Sequence, residues 1–181
     1  MRIRLATIAD IDALTDLIPR AARELSKGFY TPAQIDRAVG HVYGVDRQLI
    51  ADGTYLVAEV DNYVAGCGGW SKRKTMFGGD GTGFKDKTDA LLDPKRDAAR
   101  IRAFFVHPGF ARRGIGRAIL QTCERAAREA GFTKLELVAT LPGEPLYTAC
   151  GYRRIEPLDI PIPDGSILPA IKMAKDLTAT H

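Results

Sequence analysis

Between residues 99 and 131 the sequence reads as a strand, a turn and a helix, joined through Arg112-Arg113-Gly114-Ile115-Gly116-Arg117. Ala99 to His107 alternates in the manner of a strand, and Pro108-Gly109 ends it. A helix begins at about Gly114. Its apolar stripe is Ile115, Ile119, Leu120, Cys123, Ala126, Ala127 and Ala130, Gly131 stops it, and Glu124 is spaced to pair with Arg128. A helix start leaves its first N–H groups without intrahelical partners, and the macrodipole adds partial positive charge, so the site attracts anions. Gly114 and Gly116 remove two Cβ atoms where an anion would approach the backbone, and Arg112, Arg113 and Arg117 add counter-charge. A capped helix with solvated arginines would carry the same residues, so the motif takes its meaning from context.

At 181 residues the chain suits one domain, residues 1 to 181, with a sizeable apolar core. No run reaches the roughly 18 apolar residues of a membrane span, and the N-terminus has no apolar stretch followed by a small-residue cleavage site. A soluble, cytoplasmic protein with no membrane partner is expected. Cys67, Cys123 and Cys150 are scattered without CxxC spacing, which points to reduced, buried thiols and to no metal site. The formal net charge of +4 is mild, but arginines gather around residues 96 to 128, favouring a polyanionic ligand. Without a helix-turn-helix signature, an aromatic RNA-binding motif or a basic tail, a nucleic acid is not expected, and a small phosphorylated cofactor is the more economical reading.

The remainder of the chain reads as strand, two helices, hairpin, the strand–helix unit, then strand, helix and two strands. Ile3 to Ala6 forms the first strand, and Thr7 with Asp10 starts a helix whose apolar face is Ile11, Leu14, Ile18, Ala21 and Leu25. Thr31-Pro32 opens the second helix. Thr54 to Val60 and Tyr63 to Ser71 form a hairpin about Asp61-Asn62. Residues 72 to 98 lack periodicity and read as a long surface insertion. The glycine cluster from Gly78 to Gly83 is not a phosphate loop, because no Lys-Ser or Lys-Thr follows. Lys134 to Thr140 is a strand, Glu144 to Cys150 a short helix, and a strand runs toward Ile155. Ile167 to Lys175 is the last strand, with Pro169 restricting it to a sheet edge or a bulge.

Following directly on the strand that ends Phe104-Phe105-Val106-His107-Pro108, the glycine motif resembles the central signature of the GNAT superfamily of N-acetyltransferases. That signature is Arg or Gln, two variable residues, Gly, one variable residue, then Gly or Ala. The match is Ala111-Arg112-Arg113-Gly114-Ile115-Gly116, departing only at Ala111. The resemblance follows element order over nearly the whole chain and is sharpest over residues 99 to 152. It implies an α+β fold, a mixed and mostly antiparallel twisted sheet with a central parallel strand pair splayed at the cofactor site and helices on both faces. It also implies acetyl-CoA as co-substrate, with the pyrophosphate held at Ala111 to Arg117 and Thr140 beside it in place of the family's frequent Asn. The pantetheine arm would pair like an added strand with the main chain of Phe104, Phe105 and Val106, Val106 directing an N–H at the thioester oxygen. The side chains of Phe104 and Phe105 are expected to pack in the core.

Leu146-Tyr147-Thr148-Ala149-Cys150-Gly151-Tyr152 resembles the family's second signature, which makes Tyr147 the general acid that protonates the departing sulfur. Gly143 stands where the family often has Ala. Where the family often has a glutamate base, Arg100 stands instead. Glu59, Glu136 and His107 are the remaining candidates, and strand alternation does not choose among them; His107 at a strand end reads as structural. Phe29, Tyr30, Tyr43 and Trp70 are aromatic candidates for acceptor recognition, and Arg100 with Arg102, in place of the acidic character that would welcome a polycation, leans the reading toward a small amine or an amino acid with a carboxylate. The expected activity is direct transfer of an acetyl group to a primary amine of a small molecule or peptide, by a chain for which a homodimer stays open. A catalytically weak acyl-CoA-binding regulatory module is the alternative that the absent glutamate keeps in play.

Overall fold

The computed structural model describes residues 1–78 and 89–177. Its strands are β1 (Arg2–Leu5), β2 (Tyr55–Val60), β3 (Tyr63–Ser71), β4 (Ala99–Val106), β5 (Lys134–Thr140), β6 (Arg153–Pro161) and β7 (Ile167–Asp176). The helices are α1 (Ile11–Leu25), α2 (Pro32–Ala38), α3 (Arg47–Ala51), α4 (Ile115–Glu129) and α5 (Glu144–Ala149). The strands form one sheet in the order β1-β2-β3-β4-β5-β7-β6, antiparallel throughout except for the β4–β5 pair.

Strand alternation sorts the side chains into two layers. Tyr55 and Val57 face Leu14 and Ile18 of α1, Ile35 of α2 and Leu49 of α3, while Leu56 and Ala58 face Ile115, Ile119 and Leu120 of α4. Ile119, Leu120 and Cys123 are fully buried, and each buried Ile or Leu side chain contributes roughly 1.5–3 kcal/mol. The α1–α3 layer and the α4 layer therefore lie on opposite faces, as the family resemblance implies.

Asp61 and Asn62 both take positive φ, 50° and 65°, the two-residue turn whose twist matches the right-handed hairpin strands β2 and β3. The next departure from regularity matters more. Gly69 lies opposite Arg102 and Cys67 opposite Phe105, so Ala103 and Phe104 share the one place facing Gly68, and Ala103 bulges with φ of 59°. A Cβ on Gly68 would stand 2.7 Å from the Phe104 ring, so only glycine leaves room for the ring there.

Several expectations change. Glu124 does not pair with Arg128; its carboxylate takes the Lys175 ammonium at 2.9 and 2.8 Å, and Arg128 donates to the Leu177 carbonyl instead. Glu124 lies on the buried side of α4 facing β7, where a cross-element ion pair outweighs a surface i,i+4 pair. Helix α3 was not anticipated, although Asp46 caps it by accepting from the Leu49 N–H at 3.2 Å. β6 continues past Ile155 to Pro161, because it is an edge strand and Pro157 and Pro161 need no ladder bonds on its outer side. β7, by contrast, is an inner strand. Pro169 is tolerated because β5 ends at Thr140, opposite Ala170, and the Pro169 carbonyl accepts from the Tyr30 hydroxyl at 2.6 Å. Residues 72 to 74 and 90 to 92 pair as an ordered neck, with Arg73 bridged to Leu91, and residues 79–83 of the glycine cluster lie outside the described residues.

The entry to α1 carries a pH-sensitive clamp. Arg4 grips Asp10 with two bonds of 2.8 and 2.7 Å and also holds Glu59, while Asp10 accepts from the Thr7 N–H at 2.7 Å. The Arg4 guanidinium thereby holds the Asp10 carboxyl at about 2, below its ordinary 3.8. A depressed carboxylate pKa stabilises the fold at pH values above the unfolded value, and the gain is lost as pH falls through the folded one. Asp10→Asn should therefore cost about 2 kcal/mol at pH 7 and almost nothing at pH 2, measured by denaturant melts of both proteins across that range.

Candidate active site

β4 and β5 are in register only at Ala99 opposite Leu135 and Arg100 opposite Glu136. Beyond that they part. A cavity of about 830 Å³ occupies the gap, lined by Ile101 to Val106 on one side and by Val138 and Thr140 on the other. It reaches Ile115 and Gly116 on the α4 face and Ala21 and Tyr43 on the α1–α2 face, so it passes through the sheet.

At the α4 mouth the helix begins without a side-chain cap. Gly114 takes φ of 82° as N-cap and no atom lies within 4 Å of where its Cβ would be, which leaves the first N–H groups open to an approaching anion. Gly116 is there for a different reason, since a Cβ would meet Leu146 at 3.0 Å. Ala111, Arg112, Ile115 and Arg117 line the cavity with the two glycines, and Arg112 itself takes φ of 64°. Arg113 does not line it; its guanidinium lies over the Phe110 ring at 5.4 Å. These features fit a pyrophosphate.

In the gap the backbone supplies the polar groups. His107 donates its N–H to the Ala65 carbonyl at 2.8 Å, so in the antiparallel alternation the next pair, Val106 opposite Gly66, is a non-bonded one. Val106 consequently turns its N–H and C=O away from β3, toward the side from which β5 has withdrawn. Phe104 and Phe105 point to opposite faces: Phe104 meets Tyr147 edge-on at 6.1 Å, and Phe105 meets Tyr43 at 5.8 Å. Both rings pack, as their side chains were expected to, while their main chain borders the gap.

Tyr147 lines the cavity from α5, held between Phe104 and Tyr152, whose ring is 5.8 Å away. No described residue hydrogen-bonds its hydroxyl, and burial raises its pKa above the ordinary value of 10. Thr140 lines the same side, with its carbonyl accepting from the Gly143 N–H at 3.0 Å.

The candidate bases are elsewhere. Glu59 is gripped by Arg4, and Glu136 by Arg100 at 2.6 Å. The His107 Nδ1 accepts from the Gly109 N–H at 3.0 Å, capping a short turn. Cys150 is not a lining residue. Of the four aromatic candidates, Phe29 and Tyr43 line the cavity; Trp70 packs against Phe132, and Tyr30 spans from Pro169 to the Leu141 N–H. The arginine reading changes as well. Arg100 is bound to Glu136, and Arg102 lines the cavity with its charge matched by buried Asp46 at 2.5 Å, so neither stands ready for a substrate carboxylate. No group of side chains able to hold a metal ion occurs among the described residues.

A sheet opened between two parallel strands, with an uncapped helix start at one mouth and a phenol lining the gap, is an arrangement that suits an acyltransferase. The Acetyltransferase (GNAT) family profile matches residues 18–152, and the chain belongs to that family. No curated protein matches it in sequence. Among solved structures it resembles a GCN5-related N-acetyltransferase of Rhodopseudomonas palustris at 18% identity and a TM-score of 0.71, covering 97% of this chain and 95% of that one. It also resembles the PaiA N-acetyltransferase of Thermoplasma acidophilum in complex with coenzyme A, at 14% identity and a TM-score of 0.64 over 97% and 98% of the two chains. A third is yncA from Salmonella typhimurium with its cofactor acetyl-CoA, at 16% identity and a TM-score of 0.64 over 100% and 96%. No described helix is long and apolar enough to cross a membrane.

Proposed function

We propose that residues 1 to 181 act as one cytoplasmic acetyltransferase domain that moves the acetyl group of acetyl-CoA directly to a primary amine of a small molecule or peptide. The observation that carries this reading is the cavity through the β4–β5 gap, with the Val106 main chain turned into it and the Tyr147 hydroxyl inside. Ala111 to Gly116, with Arg112 and Arg117, would hold the pyrophosphate, and Arg113 would contribute charge from outside the cavity. Phe104 to Val106 would pair with the pantetheine arm, and Thr140 would border it. The amine nitrogen forms a bond to the thioester carbon as the carbon–sulfur bond breaks, the nitrogen losing a proton and the sulfur gaining one. The Val106 N–H meets the charge growing on the thioester oxygen, a donor worth about 100- to 1000-fold in rate.

Tyr147 has the harder task. A thiol loses its proton near 8.5, and burial makes this phenol a weaker acid than an ordinary tyrosine. Outright proton transfer ahead of bond cleavage is therefore uphill; Tyr147 donates a hydrogen bond to the sulfur as it acquires charge, and the proton crosses late.

Calorimetric titration with acetyl-CoA tests the reading. The wild-type protein should bind with micromolar affinity, and Gly114→Val should bind at least tenfold more weakly, because a β-branched residue resists the φ of 82° by about 1–2 kcal/mol and crowds the phosphate. Folded wild-type protein that does not bind acetyl-CoA would overturn it. A regulatory acyl-CoA-binding module remains the second reading, favoured by one observation: no carboxylate or imidazole lines the cavity among the described residues. Release of coenzyme A in the presence of amines separates the two.

A further inference from the structure

On the α1–α2 face, where Ser26 and a buried Tyr43 hydroxyl without a hydrogen-bond partner among the described residues also stand, the cavity wall is mostly carbon. Ala21, Ala22 and Leu25 of α1, Phe29 just after it, Tyr43, and Phe77 beside the insertion neck form it. The charged lining side chain at this end, among the described residues, is Arg102, and both terminal nitrogens of its guanidinium are engaged, while its buried Nε has no hydrogen-bond partner among those residues. The terminal nitrogens donate to Asp46 at 2.5 Å, to the Thr75 carbonyl at 3.1 Å and to the Gly78 carbonyl at 2.5 Å. Asp46 is fully buried behind it and does not itself line the cavity, so the pair presents balanced charge.

We propose, resting on the transferase reading above, that this end is an acceptor site for an amine carried on an uncharged apolar or aromatic body, and that it takes this amine as the free base. An ammonium entering here would shed its water and find no carboxylate among the described lining residues to replace it, a cost of several kcal/mol that a polyamine or a lysine-rich peptide would bear more than once. The free base of an apolar amine loses little on entry, and its body gains roughly 25 cal/mol for each Å² of apolar surface covered. Selection then falls on basicity. At pH 7.5 an alkylamine of pKa near 10 is about 0.3% free base, whereas an α-amino group of pKa near 8 is about a quarter free base, close to a hundredfold difference in reactive species. The favoured acceptors are thus weakly basic primary amines on apolar frames, and the slot where the family often places a base, filled here by Arg100, needs no substitute.

Three probes test this with the full chain: phenylalanine amide, phenethylamine and spermidine, each followed by coenzyme A release from pH 6 to 10. Phenylalanine amide should exceed phenethylamine by at least tenfold in kcat/KM at pH 7.5, and spermidine should be at least 100-fold below it. For each apolar amine kcat/KM should rise tenfold per pH unit and level at the pKa of that amine, so the two plateaus begin at different pH values. Leu25→Glu, at a position about one-third exposed where a charge is compatible with folding, should move the spermidine to phenylalanine amide ratio at least tenfold toward spermidine. Spermidine equal to the apolar amines, a common break point for both apolar amines, or a ratio unmoved by Leu25→Glu would overturn the proposal. Acetyl-CoA that binds without any of the three supporting turnover overturns the acceptor assignment and leaves the cofactor site standing; acetyl-CoA that does not bind removes both.

Discussion

Tyr147→Phe is expected to lower kcat by about 100- to 1000-fold while acetyl-CoA affinity stays nearly unchanged. The substitution removes one oxygen and keeps the ring, which is fixed edge-on between Phe104 at 6.1 Å and Tyr152 at 5.8 Å. Because no described residue bonds the hydroxyl, its loss strands no buried partner, and the melting temperature should shift little. Those two outcomes together assign the effect to the departing sulfur and not to the fold. Burial keeps the phenol protonated beyond its ordinary range, so the wild-type rate should show no decline from Tyr147 ionisation below about pH 10. Coenzyme A release measured at saturating amine checks both points, and an unchanged kcat would remove Tyr147 from catalysis.

Local features of the site were legible because they obey local rules. Gly114 sits at the N-cap with φ of 82°, and helix α4 starts one residue later, as the glycine pattern predicts. The Asp61-Asn62 turn and the Thr31-Pro32 helix start were read from two residues each and are in place. Tyr147 lines the cavity as its signature implies.

Features set by pairing across the fold were legible only through the family resemblance or not at all. The resemblance implies a parallel pair that splays, but the place where β4 leaves β5, after Arg100, and the bulge at Ala103 are announced by no residue type in that stretch. Glu124 carried a plausible local partner in Arg128 four residues on, and lost it to Lys175, 51 residues away, once α4 was laid on the sheet. The same holds for the search for a base: Glu59 and Glu136 are strand carboxylates whose availability was decided by the arginines opposite them, Arg4 and Arg100. The wall proposed for the acceptor was legible in part: Phe29 and Tyr43 stood out as aromatic candidates, whereas the approach of Ala22 of α1 and Phe77 of the insertion neck to the same cavity follows no local pattern.

Asp46 is where a long-range pairing should have its largest energetic effect. Its carboxylate and the Arg102 guanidinium are both buried, 56 residues apart in sequence, and their contact is 2.5 Å. Replacing Asp46 by Asn retains a side-chain oxygen for the Leu49 N–H at the start of α3, so the cap survives, but the Arg102 charge is left inside without its counter-charge. Removing one partner of a buried ion pair costs about 3–5 kcal/mol, which in a domain of this size lowers the melting temperature by about 10 °C. Arg102→Met alone takes the guanidinium away from the buried Asp46 carboxylate and should also be destabilising, whereas Asp46→Asn with Arg102→Met removes both charges, keeps an oxygen for the Leu49 N–H and should recover most of the loss, since removing both members of a buried ion pair is often nearly neutral. The recovery would not extend to function. Arg102 also ties the Thr75 and Gly78 carbonyls to β4, so the double variant should melt near the wild-type temperature yet show a raised KM for the amine with acetyl-CoA affinity unchanged. Thermal melts of the four proteins with paired KM measurements decide it; additive losses in the double variant would mean that Asp46 and Arg102 act independently, and an unaltered amine KM would detach the acceptor site from this clamp.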